Sequence, residues 1–262
     1  MLKKIALATA LLSSLGTAYA YQAEINAGYE NTDGDIDTFV LNGKYYLNNV
    51  STQNVPFAEA GFLNKASNIG AGYANVSADA DEDLDVYGVN AEYYVPNTNF
   101  YVSAALNRID LAGYKNTGYA VEGGYFPIDN LLVAVGVAKE NVDPVQVANY
   151  GVVANLLNAV SVGDDTAVSL RAKYVTQVAG YTTNFEGLSY IGDETTYRLG
   201  ADLYIDPTLS VGVSFADSTA DGSDTIFSIG AKKFFTPQIA VGAAYTNVDS
   251  VDAFGLNGTY RF

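Results

Sequence analysis

Residues 21–30 have the sequence YQAEINAGYE, in which two kinds of side chain alternate over ten consecutive positions. The odd-numbered positions are aromatic or aliphatic, and the even-numbered positions are polar or glycine. Because successive side chains of a β-strand point to opposite faces, this period of two predicts a strand with one apolar and one polar face. The same period returns at residues 39–47, 196–205 and 254–262, so strands are predicted from the beginning to the end of the chain.

The composition favours a membrane barrel over a soluble sandwich, which would alternate in the same way. Of the 262 residues, 21 are Tyr, 12 are Phe and 25 are Gly, and only 16% are charged, against roughly 25% in soluble domains. The polar faces consist of Gly, Ser, Asn, Thr and isolated charges, which are small enough to line a lumen. The apolar faces carry aromatic residues near the strand ends, as at a membrane interface. The sequence therefore predicts an all-β, antiparallel up-and-down transmembrane β-barrel.

The connections between the strands fall into two classes, as in an outer-membrane barrel with short periplasmic turns and longer outer loops. Both termini are then periplasmic, so the number of strands is even. Short turns with proline occur at residues 96–99, 127–130, 206–208 and 236–238, and longer acidic segments occur at 31–37, 79–85, 177–194 and 217–224.

The alternating segments give a count of fourteen strands. The count becomes sixteen if residues 48–66 and 177–194 contain further strands rather than a periplasmic connection and an outer loop. The predicted strands are residues 21–30, 38–47, 67–78, 84–95, 100–110, 116–126, 131–141, 146–156, 165–176, 194–205, 209–217, 225–235, 239–247 and 253–262.

The first twenty residues have the pattern of a secretory signal. Lys3 and Lys4 precede an apolar run at residues 5–15, and Ala18-Tyr19-Ala20 has the small-x-small form of a cleavage site. We therefore expect a signal peptide at residues 1–20 and a mature barrel at residues 21–262. An exported barrel with these features is expected in the outer membrane of a bacterium.

The amino acids that the chain lacks exclude several functions. Without Cys or His, the chain has no thiol nucleophile and no imidazole base or metal ligand, so we predict that it is not an enzyme. The formal net charge of -16 argues against nucleic-acid binding. Acidic runs at residues 33–37 and 79–85 supply oxygen ligands but lack the spacing of a calcium-binding loop, so we assign no metal and no cofactor.

Three stretches carry a resemblance to a known family: Tyr21-Gln22, YYLNNV at residues 45–50 and FAEAGFLNKASN at residues 57–68. They resemble the porins typified by the carbapenem-associated outer-membrane channel of opportunistic coccobacilli, most specifically over the first seventy-five residues or so. The resemblance implies a fourteen-stranded barrel that passes water and small solutes. It also implies a periplasmic connection that folds inward and narrows the channel, for which residues 48–66 are the candidate.

The candidate connection has features of a short helix rather than a strand. Clean alternation stops after residue 47 and returns only at residue 67, and residues 58–66 fit helical spacing better. We predict that this segment forms a constriction with the side chains Phe57, Glu59 and Lys65.

The polar phase of the predicted strands places ten charged side chains in the lumen. Most acidic members fall in the first eight strands and most basic members in the last six, which would set up a field across the pore. The alternative is that each charge pairs with a neighbour, as Arg261 and Glu24 would across the closing seam. The predicted pore-lining residues are Glu24, Lys44, Glu92, Glu122, Arg171, Lys173, Arg198, Asp202, Lys232 and Arg261.

Two expectations concern particular basic side chains. For Arg171, Lys173 and Arg198 we favour a role in the pore. In the predicted register, Asp202 is the only carboxylate near enough to pair with these three cations. Arg108 and Lys233 fall on the lipid phase near strand ends, where a long side chain can reach the membrane interface.

The function that fits best is passive diffusion of water, ions and small solutes, with a weak preference for cations. A non-conducting structural or adhesive barrel with acidic, partner-binding loops is the alternative, and a sugar-selective channel lined by Tyr46, Tyr94 and Tyr204 is a third possibility. The expected partners are outer-membrane lipids, small solutes and the barrel-assembly machinery, which the resemblance to outer-membrane barrels implies would recognise Tyr260 and Phe262. A monomer is favoured.

Overall fold

The fold is a ring of antiparallel strands. The computed structural model describes residues 20–33, 36–78, 83–111, 113–139, 166–249 and 251–262. Within them a 3-10 turn covers Phe57–Glu59 and a short helix, α1, covers Ala60–Leu63. The strands are β1 (Ala20–Thr32), β2 (Ile36–Ser51), β3 (Asn68–Ala78), β4 (Leu84–Tyr94), β5 (Phe100–Leu111), β6 (Tyr114–Ile128), β7 (Leu131–Lys139), β8 (Ala167–Val178), β9 (Tyr181–Ile191), β10 (Thr195–Asp206), β11 (Leu209–Ser218), β12 (Ile226–Phe234), β13 (Ile239–Val248) and β14 (Val251–Arg261).

Every strand pairs with its neighbours in sequence, and the first strand pairs with the last. The β1–β14 seam runs from Glu24 opposite Arg261 to Thr32 opposite Ala253. The fourteen strands therefore form a closed barrel. Closure leaves no unpaired strand edge, which a sheet in a hydrocarbon environment requires. The predicted up-and-down barrel of fourteen strands is confirmed.

The distribution of apolar side chains is inverted relative to a soluble protein. Large aliphatic residues face outward and are exposed, Leu199 by 58% and Leu256 by 63%, whereas Asn26, Asn107 and Thr246 are buried inside. In water such a surface would be unfavourable, but against lipid it is the expected one. The predicted alternation thus places its apolar face outside. Among the described residues, no helix has the length and apolar character needed to cross a membrane.

One predicted loop is in fact a strand. Residues 177–194 were expected to be an outer loop, but they contain β9, which pairs with β8 on one side and β10 on the other. The chain reverses at Ala179 and Gly180, whose φ angles are +51° and +87°. Two consecutive positive φ values define the tight hairpin turn that suits the twist of paired strands. The prediction was wrong because position 179 is Ala, whereas Asn or Asp at this position would have indicated the turn in the sequence.

One predicted strand, at residues 146–156, lies outside the described residues. β7 pairs directly with β8, from Leu131 opposite Tyr174 to Ala138 opposite Ala167. The count of fourteen is confirmed by the closed ring, which includes β9, a strand that was not among the predicted ones.

A turn is predicted at residues 127–130, but Pro127 lies within β6. The register between β6 and β7 shifts between Tyr125 and Ile128. Such an irregularity tolerates a residue without an N–H donor.

Candidate functional site

The connection between β2 and β3 folds into a short helical segment. After Ser51 the chain bends at Asn54, whose φ is +59°, and then forms the 3-10 turn and α1 before β3 begins at Asn68. We call residues 52–67 the inner segment. The predicted helix within residues 58–66 is confirmed, and no third membrane strand is formed there.

Asn64 fastens the inner segment to the strand that precedes it. Its side-chain amide donates to the carbonyl oxygens of Ala60 (2.7 Å) and Ser51 (2.9 Å). One side chain therefore links the first residue of α1 to the end of β2 and fixes the angle at which the segment leaves that strand.

One end of the inner segment contacts the last strands of the barrel. The backbone N–H of Phe57 donates to the carbonyl of Pro207 in the β10–β11 turn, at 2.8 Å. The Arg261 guanidinium on β14 donates to the carbonyl of Phe57, also at 2.8 Å. The Phe57 ring packs edge-on against Phe234 of β12, with 5.7 Å between ring centroids.

Glu59 joins the middle of the inner segment to two further strands. The Tyr204 hydroxyl on β10 donates to Glu59 Oε1 at 2.7 Å, and Lys173 Nζ on β8 lies 3.0 Å from Glu59 Oε2. Glu59 is only 5% exposed, so its charge depends on these partners rather than on water.

The other end of the inner segment packs against β6. The Phe62 ring lies 5.7 Å from that of Phe126, and Lys173 Nζ is 5.1 Å from the Phe62 centroid. Lys65 forms an exposed ion pair with Asp129 at 3.1 Å. The segment is attached to β2 and β3 but contacts β6, β8, β10, β12 and β14, so it extends across the end of the barrel at which β1 begins and β14 ends.

A second group of charges meets in the barrel interior around Arg171. Its guanidinium lies 3.0 Å from Glu186 of β9, 3.5 Å from Glu122 of β6 and 4.0 Å from Glu92 of β4. Lys173 lies 3.4 Å from Glu186 as well as contacting the inner segment. Because β8 and β4 are not neighbours in the ring, the contact between Arg171 and Glu92 passes through the interior.

This arrangement corrects the expectation that Arg171, Lys173 and Arg198 have only Asp202 nearby. Glu186 stands directly opposite Lys173 in the β8–β9 register and supplies a carboxylate between the strands that carry these cations. It was missed because its strand was predicted to be a loop. Asp202 instead accepts a hydrogen bond from the Asn184 amide at 3.2 Å.

The predicted pair at the seam is confirmed. Arg261 Nε donates to a carboxylate oxygen of Glu24, and the guanidinium lies 4.3 Å from the Tyr21 centroid and 4.5 Å from that of Phe234. Arg261 is 3% exposed. A single side chain therefore joins the first strand, the last strand and the inner segment.

The three tyrosines proposed to line a sugar path lie at the level of the inner segment. Tyr46 is buried against Tyr21, and Tyr94 packs on Phe126 with 5.9 Å between centroids. Tyr204 is buried on Glu59. They pack the same end of the barrel rather than forming an open aromatic path.

The ten charged residues predicted for the lumen share one geometric property. Each belongs to the strand face opposite to the exposed apolar side chains. Lys232 Nζ lies 5.7 Å from the Phe234 centroid. Ion pairs or hydrogen bonds to other side chains are formed by Glu24, Glu92, Glu122, Arg171, Lys173, Asp202 and Arg261. Lys44 stands opposite Glu24 in the β1–β2 register.

Comparison with known proteins agrees with this architecture. A family model described as "Putative general bacterial porin" matches residues 1–262. The chain belongs to this porin family. The chain is similar to the Acinetobacter baumannii outer membrane protein Omp33, whose crystal structure matches with 32% sequence identity and a TM-score of 0.74. The match covers 93% of this porin and 99% of that chain.

The structure of a bacterial polysaccharide outer membrane secretin matches with 11% sequence identity and a TM-score of 0.50. The match covers 92% of this porin and 99% of that chain, and it supports the fold alone. A search of curated protein sequences found no match. The porin is therefore an outer-membrane channel protein of a bacterium, and its family and fold point to a channel rather than an enzyme.

Proposed function

We propose that this porin is a passive channel for water, ions and small solutes, and that the inner segment narrows it at the periplasmic end. The observation that carries this proposal is the set of contacts of the inner segment with five strands spread around the ring. Backbone that is neither strand nor long helix is tolerated at membrane depth only where protein or lumen water surrounds it. A solute crossing the barrel would then pass beside Phe57, Glu59 and Lys65.

We further propose that the ten inward charges line this path. Arg171 lies within 4.0 Å of both Glu122 and Glu92, so positive and negative walls meet rather than facing each other across open water. A path bordered by paired charges discriminates weakly between cations and anions. The acidic composition, with 29 Asp and Glu against 13 Lys and Arg, favours a small excess of cations at the outer mouth.

Solute uptake by proteoliposomes tests the proposed function. Vesicles with refolded porin are mixed with sugars, amino acids and salts of graded size, and swelling is followed by light scattering. We expect uptake that decreases steadily with solute size and shows little dependence on charge. The channel function would be refuted if uptake were no faster than into protein-free vesicles and planar bilayers with the porin showed no conductance above that of lipid alone.

A non-conducting barrel is the second candidate, and the burial of the interior charges favours it. Arg261 is 3% exposed and Glu59 is 5% exposed. These values suit an interior that is occluded. If neither the complete porin nor a variant without the inner segment conducts, the structural or adhesive role replaces the channel.

Three further proposals concern maturation and assembly. We propose cleavage after Ala20, since Tyr21 packs into the barrel against Tyr46, with 5.4 Å between centroids. Mass spectrometry of porin purified from membranes would give the mature N-terminus.

We also propose that the porin is a monomer. We further propose that the assembly machinery recognises Tyr260 and Phe262 before Phe262 forms its backbone hydrogen bonds with Ala23.

A further inference from the structure

The basic residues of this porin are distributed unevenly. Of its 13 Lys and Arg residues, 11 follow residue 20. Six face the barrel interior, and Lys65 belongs to the inner segment. Four face outward: Lys233 on β12 lies at the periplasmic end, whereas Arg108, Lys115 and Lys139 lie at the outer ends of the consecutive strands β5, β6 and β7. We call these three residues the basic patch.

Tyrosines mark the depth of the basic patch in the membrane. Arg108 stands opposite Tyr87 in the β4–β5 register, and Lys139 stands opposite Tyr119 in the β6–β7 register. Both tyrosines are exposed on the outward face, and the next outward position toward the barrel middle is occupied by aliphatic residues such as Leu106 and Val121. Outward tyrosines gather at the level of lipid headgroups. Arg108 and Lys139 therefore lie where the hydrocarbon ends.

Two described carboxylates near the basic patch are already engaged. Asp110 pairs with Lys115 at 3.1 Å, and both side chains remain partly exposed. Asp85, opposite Asp110 in the register, accepts hydrogen bonds from the Tyr73 hydroxyl at 2.7 Å and from an amide on the same hairpin. Within the part of the chain that the structure describes, no ion pair is formed by Arg108 or Lys139.

Described residues elsewhere on the outer rim include outward-facing carboxylates. On β2 and β14, Asp37 and Asp252 face outward at the corresponding ends of their hairpins, each held by a tyrosine hydroxyl, from Tyr29 at 2.6 Å and Tyr245 at 2.7 Å. The basic patch on β5–β7 and these carboxylates on β2 and β14 therefore lie in different sectors of the ring, so an anionic group that approaches the barrel from the membrane is attracted to one side.

We propose that the basic patch binds the phosphate groups of the phosphorylated glycolipid in the outer leaflet. An uncompensated cation facing hydrocarbon is unfavourable, and a headgroup phosphate at the same depth removes that penalty. Arg108 offers a planar guanidinium that donates two parallel hydrogen bonds to one phosphate. Lys139 lies two strands away, about 10 Å across the sheet at roughly 4.8 Å per strand, so the two residues engage separate phosphates of one headgroup. Lys115 contributes less because Asp110 already neutralises it.

Native mass spectrometry of the refolded full-length porin in neutral detergent tests this proposal. The porin is incubated with diphosphorylated lipid A or with the same glycolipid after enzymatic removal of its phosphates, and retained lipid is counted. We expect retention of the phosphorylated form only. Each basic side chain near a membrane surface contributes about fivefold in affinity, so Arg108→Gln with Lys139→Gln should reduce retention roughly 25-fold.

Lys233→Gln is the matched control, since it removes an outward basic residue at the opposite end of the barrel. It should retain lipid A as well as the wild type does. Heat-modifiable migration on gels verifies folding, and if the double variant fails to fold, the single variants should each lose about fivefold. Equal retention of both glycolipids, an equal loss in Lys233→Gln, or undiminished retention in folded Arg108 and Lys139 variants would overturn the proposal.

Discussion

The variant Glu59→Gln tests what holds the inner segment against the barrel wall. Glutamine keeps the size of the side chain and an oxygen that accepts from Tyr204, but it removes the charge that faces Lys173 Nζ at 3.0 Å. Lys173 keeps Glu186 at 3.4 Å, so the strand wall retains a counter-charge. The substitution therefore weakens the attachment of the segment more than it weakens the barrel.

The expected size of the effect follows from the burial of Glu59. A contact that involves a charged group contributes about 1.5–3 kcal/mol, and the low exposure of Glu59 limits screening, so we take ~2 kcal/mol for the lost interaction. Because every 1.4 kcal/mol is tenfold in an equilibrium constant, the ratio of displaced to seated segment should rise about 30-fold. In single-channel recordings from planar bilayers, this appears as a longer total time in a higher-conductance level.

Two variants calibrate this measurement. Lys65→Gln breaks the exposed ion pair with Asp129, and such pairs contribute about 0–1 kcal/mol, so it should change the dwell-time ratio less than fivefold. Tyr204→Phe removes a hydrogen bond to the same carboxylate but leaves the charge, so we expect an intermediate effect. If Glu59→Gln behaved like Lys65→Gln, Glu59 would not hold the segment in place.

Three further predictions follow from single features of the barrel. Glu186→Gln should lower the free energy of unfolding by about 2 kcal/mol in urea titrations, because Arg171 and Lys173 lose their shared carboxylate; an unchanged midpoint would contradict this. Ala179→Asn should raise stability by up to about 1 kcal/mol, since Asn adopts a φ of +51° more readily than Ala, and a lower midpoint would argue against the turn. Reversal potentials should show weak cation preference at 0.1 M salt and almost none at 1 M, where the Debye length falls from ~10 Å to ~3 Å; clear anion preference would mean that the basic residues control selectivity.

The sequence predicts the barrel well because its dominant signal is local. Alternation such as that at residues 254–262 needs no knowledge of neighbours, since the lipid imposes one apolar face on every strand. The prediction failed where the signal was a turn rather than a strand. Ala179 has no positive-φ preference of its own, so only pairing with β8 and β10 makes β9 evident.

The site is predictable only in part because its charges are paired by non-local contacts. The seam pair of Arg261 and Glu24 follows from closure of the ring and is confirmed. The contact of Glu59 with Lys173 does not follow from sequence, since it depends on how far the inner segment extends into the barrel. Glu186 could have been predicted from the same alternation. Asn184 and Glu186 flank the outward-facing Phe185, so both belong to the inward face of the strand.

The conductance of a porin without residues 54–64 tests the central claim most directly. The deletion removes Phe57, Glu59 and α1 but leaves Lys173 paired with Glu186 and every strand of the ring intact. Folding is checked first by heat-modifiable migration, and single-channel conductance is then compared with that of the complete porin under the same salt. We predict a folded barrel with higher conductance. A folded barrel with unchanged conductance, or a chain that no longer forms a barrel, would contradict the account of the inner segment as the constriction of this channel.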